Sequence, residues 1–320
     1  MSHATDFTAD SIEQTFGYRS HWLSTREGER IHYLDEGPRD GQAVLLVHGS
    51  AIGITAAANF YLTIPALVQA GYRVLAPDLY GYGWTEAAPG VDARRAHHVE
   101  QLLRMLDALG VARCYLIGNS LGGMVSAALA IAHPERVLGN IVIGTAGASW
   151  PGGSRFAPRL SAQADAGAYH PDMVRKAMRH LVDNEDMIPP ALVDYRTRMA
   201  ERPGAYARHL ESTRLREESK QNFPFDREAA QRCPVPTLFI YGREDRVNPP
   251  EDALAGAEAF PHADLMLFGH CGHWTMVERA DDFNALMLRF LSGYDRRIVQ
   301  PPVRAGDLFG RDLAKPGERA

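Results

Sequence analysis

The sequence predicts an α/β fold in which a mainly parallel central sheet is flanked by helices and a helical cap is inserted late in the sheet. Three observations carry that expectation. Short apolar runs alternate with segments of helical periodicity, the pattern of a parallel sheet covered on both faces. The alternation lapses between Ser149 and Phe225 and then resumes. One apolar run ends abruptly on Gly118-Asn119-Ser120-Leu121-Gly122, ahead of the small-residue run MVSAALAIA.

Taken in order, RIHYLDEG from Arg30 alternates as a half-exposed strand does. Ala43 to Gly49 and Tyr72 to Asp78 read as buried strands, as do Cys114 to Asn119 and Asn140 to Gly147. Between them, FYLTIPALVQAG and RRAHHVEQLLRMLDALG carry apolar residues at helical spacing, and each stops at a glycine. The interruption holds three arginine-rich helical stretches, HPDMVRKAMRHLVDN, PALVDYRTRMAER and AYARHLESTRLREESK. Strands return at Pro236 to Gly242 and Ala263 to Gly269, followed by a closing helix, ADDFNALMLRFLSG. The expected organisation is a core of residues 1–148 and 226–297, a cap of residues 149–225, and a C-terminal extension of residues 298–320. Such a cap lies over the carboxyl end of the sheet, where open α/β folds hold ligands.

Composition narrows the functional classes. Hydrophobic residues at 45% and charged residues at 23% suit a soluble globular chain. A net charge of -5 with no basic cluster argues against nucleic acid as partner, because phosphate backbones are met with an excess of Lys and Arg. No apolar run is long enough to span a bilayer, and the N-terminus has neither a basic start nor an apolar core of signal-peptide length. Cys114, Cys233 and Cys271 are odd in number and lack CxxC spacing, which fits a reduced, cytoplasmic compartment.

The break at Ser120 is best explained by chemistry. Gly-x-Ser-x-Gly between a strand and a helix is a nucleophile elbow, whose glycines make room for a sharp turn. A serine hydroxyl needs a base, and the base needs an orienting acid. Strand, acid, strand, histidine is the order that follows: Asp245 lies past the strand TLFIYG, and His273 past the strand DLMLF. Asp245 is preferred to Glu244 as the shorter acid farther past its strand. His273 is preferred to His270 because Gly272 lets the loop turn. An oxyanion needs two N–H donors. Leu121, next to the nucleophile, supplies one, and Ser50, after His48-Gly49 at another strand end, supplies the second. His270-Cys271-x-His273 lacks the second ligand cluster of a zinc site. Gly81 and Gly83 in PDLYGYGWT do not form a dinucleotide fingerprint. No metal or organic cofactor is therefore expected.

VHG, PDLYGYGWT, GNSLGG, GREDRV and GHWTMVE stand in an order that resembles the α/β-hydrolase family, from about Arg30 to Gly293. Within it the chain looks most like the meta-cleavage-product hydrolases, which cut a carbon–carbon bond in 2-hydroxy-6-oxo-hexa-2,4-dienoates from bacterial breakdown of aromatic compounds. The resemblance implies substrate-binding roles for Asn59, eleven residues after His48, for Asn119 and Trp274, and for Arg196, which would hold the substrate carboxylate. It also implies a homodimer or larger assembly. Each residue has a plainer reading. Asn119 suits a hydrogen bond within the elbow, Trp274 packing, Asn59 a helix start, and Arg196 a solvated charge beside Arg198 and Arg202. One departure stands out: Ala51-Ile52 and Ala57 occupy positions where the subfamily usually has Gly-Pro and Trp.

The implied activity is serine-dependent hydrolysis of a carbon–carbon bond in an anionic dienoate ketone. A carboxylesterase or lactonase would use the same triad, and the altered loop favours it. A non-catalytic binding protein on the same scaffold is the remaining alternative.

Overall fold

The computed structural model describes residues 7–145, 170–218, 227–248 and 250–297. Among these, eight strands form one sheet: β1 (Ser20–Leu23), β2 (Ile31–Glu36), β3 (Ala43–Val47), β4 (Arg73–Pro77), β5 (Cys114–Asn119), β6 (Val137–Ile143), β7 (Thr237–Gly242) and β8 (Ala263–Phe268). Their spatial order is β1-β2-β4-β3-β5-β6-β7-β8. Pairings from β4 through β8 are parallel, and β2 joins β1 and β4 antiparallel. β3, β5 and β7 are buried along their whole length, which is why they read as continuous apolar runs rather than alternating ones. β8 is an edge strand and exposes Leu265 and Leu267.

Helices cover the sheet: α1 (Ser11–Phe16), α2 (Ala56–Phe60), α3 (Ile64–Gln69), α4 (Arg95–Ala108) and α5 (Leu121–Ala132) come before the interruption. The expected single helix over FYLTIPALVQAG is two. Thr55 caps α2 by accepting the Ala58 N–H at 3.1 Å, and Pro65 falls in the first turn of α3, where its missing N–H costs nothing. α1 and β1 were not anticipated. Both are short, and β1 is an edge strand of four residues.

The interruption contains α6 (Asp172–Leu181), α7 (Pro190–Glu201) and α8 (Ala205–Glu218), where three helical stretches were expected. After it come α9 (Arg227–Gln231), α10 (Glu251–Ala259), α11 (Thr275–Glu278) and α12 (Ala280–Arg297). The stretches 146–169, 219–226 and 298–320 lie outside the described residues, so the cap expected over 149–225 is described only in part and the C-terminal extension not at all. No described helix is long and apolar enough to cross a membrane.

α7 is pinned from two sides. Arg202 donates to the Gly83 carbonyl at 2.8 Å and lies 3.6 Å over the Trp84 ring. On the N-terminal side, Phe7 and Phe16 meet Tyr195 edge-on, at 5.8 and 4.9 Å between centroids, and Arg198 sits 4.3 Å over Phe7. The Gly83 turn is itself held by Asp78, whose buried carboxylate accepts the Ala56 and Trp84 N–H groups and meets His32 Nδ1 at 2.9 Å.

Two stability predictions arise here. A Cβ on Gly122 would overlap the Val47 carbonyl, whereas one on Gly110 meets only solvent, though at φ +68°. Gly122→Ala is expected to cost about 3 kcal/mol or more and Gly110→Ala about 1 kcal/mol, read by urea unfolding. His98, enclosed beside Tyr80 and Tyr82, is pushed by burial down to about 3 from 6.5. It stays neutral in the fold but protonates in the unfolded chain, so stability drains as pH falls through that window. The urea midpoint should drop from pH 6.5 toward 4, and His98→Leu should flatten that slope.

Candidate active site

Ser120 stands where β5 gives way to α5, at φ 53° and ψ -114°. Among the described residues only Ser120 and His270 combine a side chain with positive φ. Such a conformation costs of order 1–3 kcal/mol and persists only where the surroundings fix it. The surroundings here are backbone. A Cβ on Gly118 would overlap the Gly122 carbonyl, and one on Gly122 the end of β3. The Ser120 N–H donates to the Ile143 carbonyl at 2.8 Å, which ties the turn to the end of β6. Leu121 opens α5, so its N–H has no acceptor within the helix.

Asp245 and His273 follow β7 and β8 and meet directly, with His273 Nδ1 2.8 Å from Asp245 Oδ2 and both side chains buried. The other carboxylate oxygen accepts the N–H groups of Val247 and Asn248 at 2.7 and 2.9 Å. A carboxylate held this way orients an imidazole without wandering. The ring lies against Gly144, where a Cβ would come 2.8 Å from Nδ1. The end of β6 therefore touches both candidates: Ile143 holds the Ser120 backbone, and Gly144 backs the His273 ring. Asn248 donates its amide to the Gly144 carbonyl at 2.5 Å and steadies that backing. Glu244 is turned elsewhere, bonding the Cys271 N–H at 3.0 Å, and His270 is exposed.

The loop after β3 passes over Ser120. Gly49 runs so close that a Cβ would lie 3.3 Å from that of Ser120. His48 is a neutral post, with its Nε2 accepting the Leu79 N–H at 2.9 Å and burial holding its pKa below 6.5. Asn59 Oδ1 accepts the Gly49 N–H at 2.9 Å, and its amide donates to Asn119 Oδ1 at 3.3 Å. The two asparagines thus form a buried relay beneath the loop that leads to Ser50.

Arg196 is completely buried on α7. Its Nη2 donates to the Ile52 carbonyl at 2.7 Å, and its guanidinium carbon lies 5.4 Å over the Trp274 ring. Nε and Nη1 have no hydrogen-bond partner among the described residues, and no carboxylate there pairs with the group. Burial alone pushes its pKa down to about 9, which leaves it charged at neutral pH. A buried cation that faces no anion among the described residues is an uncompensated charge there.

A family model described as the alpha/beta hydrolase fold matches residues 42–280. The chain belongs to that family. A 2-hydroxymuconate semialdehyde hydrolase of Pseudomonas sp. (strain CF600) is 34% identical over 278 residues, 85% of this chain and 94% of that protein. A 2-hydroxy-6-oxononadienedioate/2-hydroxy-6-oxononatrienedioate hydrolase of Burkholderia vietnamiensis is 33% identical over 82% of this chain and 91% of its own. Among solved structures, a mutant meta-cleavage product hydrolase of Pseudomonas fluorescens IP01 complexed with acetates superposes with a TM-score of 0.76 at 30% identity, covering 86% of this chain and 97% of that one.

In this α/β hydrolase the structure brings Ser120, Asp245, His273, Asn59, Asn119, Arg196 and Trp274 to the carboxyl edge of the sheet, with Ser50 and Leu121 on the two backbone segments beside Ser120. Sequence reasoning missed Asn248 and Glu278. Glu278 had a signal in its place five residues after His273, within GHWTMVE. Asn248 had none, because only the fold brings it to Gly144.

Removing the unpaired cation should relieve the fold. Arg196→Met is expected to raise unfolding stability by about 1 kcal/mol or more in urea. A loss of that size would mean that the charge is already compensated within the protein.

Proposed function

We propose that this chain is a serine-dependent hydrolase that cuts the carbon–carbon bond of a vinylogous 1,5-diketone ring-fission product, of the 2-hydroxy-6-oxo-hexa-2,4-dienoate type, in the degradation of aromatic compounds. The observation that carries the reading is Arg196. Its free N–H groups, between the loop after β3 and Trp274, call for a carboxylate that none of the described residues supplies. A dienoate brings one, and a simple ester does not.

The site residues divide the work as follows. Arg196 grips the carboxylate end, with Trp274 along the conjugated chain. His273, oriented by Asp245, takes the proton of the 2-hydroxyl while a proton is delivered to the carbon beside the remote ketone. Ser120, or water activated by the same pair, then adds to that ketone. Its oxygen becomes an oxyanion on the Ser50 and Leu121 N–H groups, which supply stabilisation just where charge develops. Collapse breaks the bond to the neighbouring carbon, and the electron pair leaves as a carbanion conjugated to the new ketone. A proton quenches it, and water releases the acid. Asn59 and Asn119 act from beneath: because Asn59 takes the Gly49 N–H, the loop's donor to the oxyanion falls to Ser50.

Residues 149–225 form the cap in this reading, since α6 and α7 meet the core at Trp274, Ile52 and Gly83, and Ser212 of α8 lies against Gly81. The three cysteines are free and buried, consistent with work in the cytoplasm. A carboxylesterase or lactonase is the second reading. Ile52, in the loop after β3, and Ala57, on α2, favour it, because both are buried beside the loop that leads from Ser50.

Purified protein should bleach yellow 2-hydroxy-6-oxo-6-phenylhexa-2,4-dienoate at turnovers above about one per second, and Ser120→Ala should lower that rate by about 1,000-fold or more. If the dienoate persists while p-nitrophenyl acetate is cleaved in a Ser120-dependent way, the ester reading stands instead.

A further inference from the structure

Glu278 ends α11 and is buried, and among the described residues its hydrogen bonds come from backbone. Its Oε2 accepts the Gly272 N–H at 2.6 Å. Its Oε1 accepts the Asp183 and Asn184 N–H groups at 2.7 and 2.8 Å. Gly272 is the residue before His273, and Asp183 and Asn184 follow α6 in the cap. One carboxylate therefore bridges the two.

The same seam is closed on the other side of the imidazole, where the Trp274 N–H donates to the Leu181 carbonyl at 2.9 Å. There is no slack between them. A Cβ on Gly272 would come 2.9 Å from the Asp183 nitrogen and the Val182 carbonyl carbon. His273 is thus flanked by two residues that are each fastened to the strip 181–184.

We infer that Glu278 is a positioning residue for His273, fixing the loop of the base to the cap so that seating the cap and seating the imidazole are one event. The reading rests on His273 as the base proposed above. Burial pushes the Glu278 carboxyl up, and the three N–H groups oppose that push. A charged acceptor shared by three donors is a strong and directional fastening. Its geometry matters because a displacement of about 1 Å at a catalytic group costs on the order of 100-fold in rate.

Glu278→Gln keeps the shape but leaves one side facing an NH2 that cannot accept. Glu278→Asp keeps the charge and reaches only one side, and it serves if the glutamine variant does not fold. Both would be assayed on p-nitrophenyl acetate, too small to engage the cap, and on the phenyl dienoate, below their melting temperatures. The expected result is a fall in kcat of about 10-fold or more on both substrates, with the KM for the small ester within about threefold. Two results would overturn the inference: a lower melting temperature with both kcat values intact, or a rise in dienoate KM with ester turnover unchanged. A wild type that cleaves only the ester would sink the dienoate reading and still leave the ester assay to judge Glu278.

Discussion

A serine can stand clear of its own backbone only if the chain turns more sharply than side chains normally allow, and that constraint organises this molecule. At Ser120 the turn is enforced by three backbones in contact: the end of β3, the end of β5 and the first turn of α5. Glycine at 118 and 122 permits the contact, and the Ile143 carbonyl fixes its direction. Because β3, β5 and β6 are neighbours in a parallel sheet, their carboxyl ends arrive together. The loop bearing Ser50, the nucleophile and the backing of His273 are consequences of one register. The order of the sheet is therefore the first determinant of the site.

Electrostatics supply the second. The fold encloses an acid that is fully satisfied, Asp245, and a cation that is not, Arg196. The first is fixed by three hydrogen bonds. The second stays charged with Nε and Nη1 unbonded among the described residues. Burying Arg196 costs stability, and the aromatic face of Trp274 offsets only part of that cost. That division leaves the site rigid around His273 and unsatisfied around Arg196.

Much of this was legible in the chain. The buried strands announced themselves because a strand covered on both faces has no polar alternation to blur it, and Ser120 and Asp245 each follow one, whereas His273 follows the half-exposed edge strand β8. The choice of Asp245 over Glu244 and of His273 over His270 could be made from loop length and from Gly272. Arg196 could not be settled so, since Arg198 and Arg202 share its surroundings in sequence. Only packing separates them, with one turned inward and the others spread over Phe7 and Trp84. The split of α2 from α3 was hidden by an apolar periodicity that runs through Pro65. Asn248 and Glu278 were hidden because their partners are backbone groups, about 100 residues away for Gly144 and for the strip 181–184.

The contact of Phe7 and Phe16 with Tyr195 has a consequence in time. During synthesis the arm of Phe7 and Phe16 emerges before the helix it clasps, which follows nearly 190 residues later, an interval of roughly 10 to 40 s at ordinary translation speeds. His273 and Trp274 come later still. The sheet can collapse around β3 to β6 while the arm waits unpartnered, but the wall that shelters Arg196 closes only when the last strand has left the ribosome. A nascent chain thus holds the turn at Ser120 before His273 and Trp274 arrive, so the candidate site is complete only once β8 and the loop after it have joined the sheet.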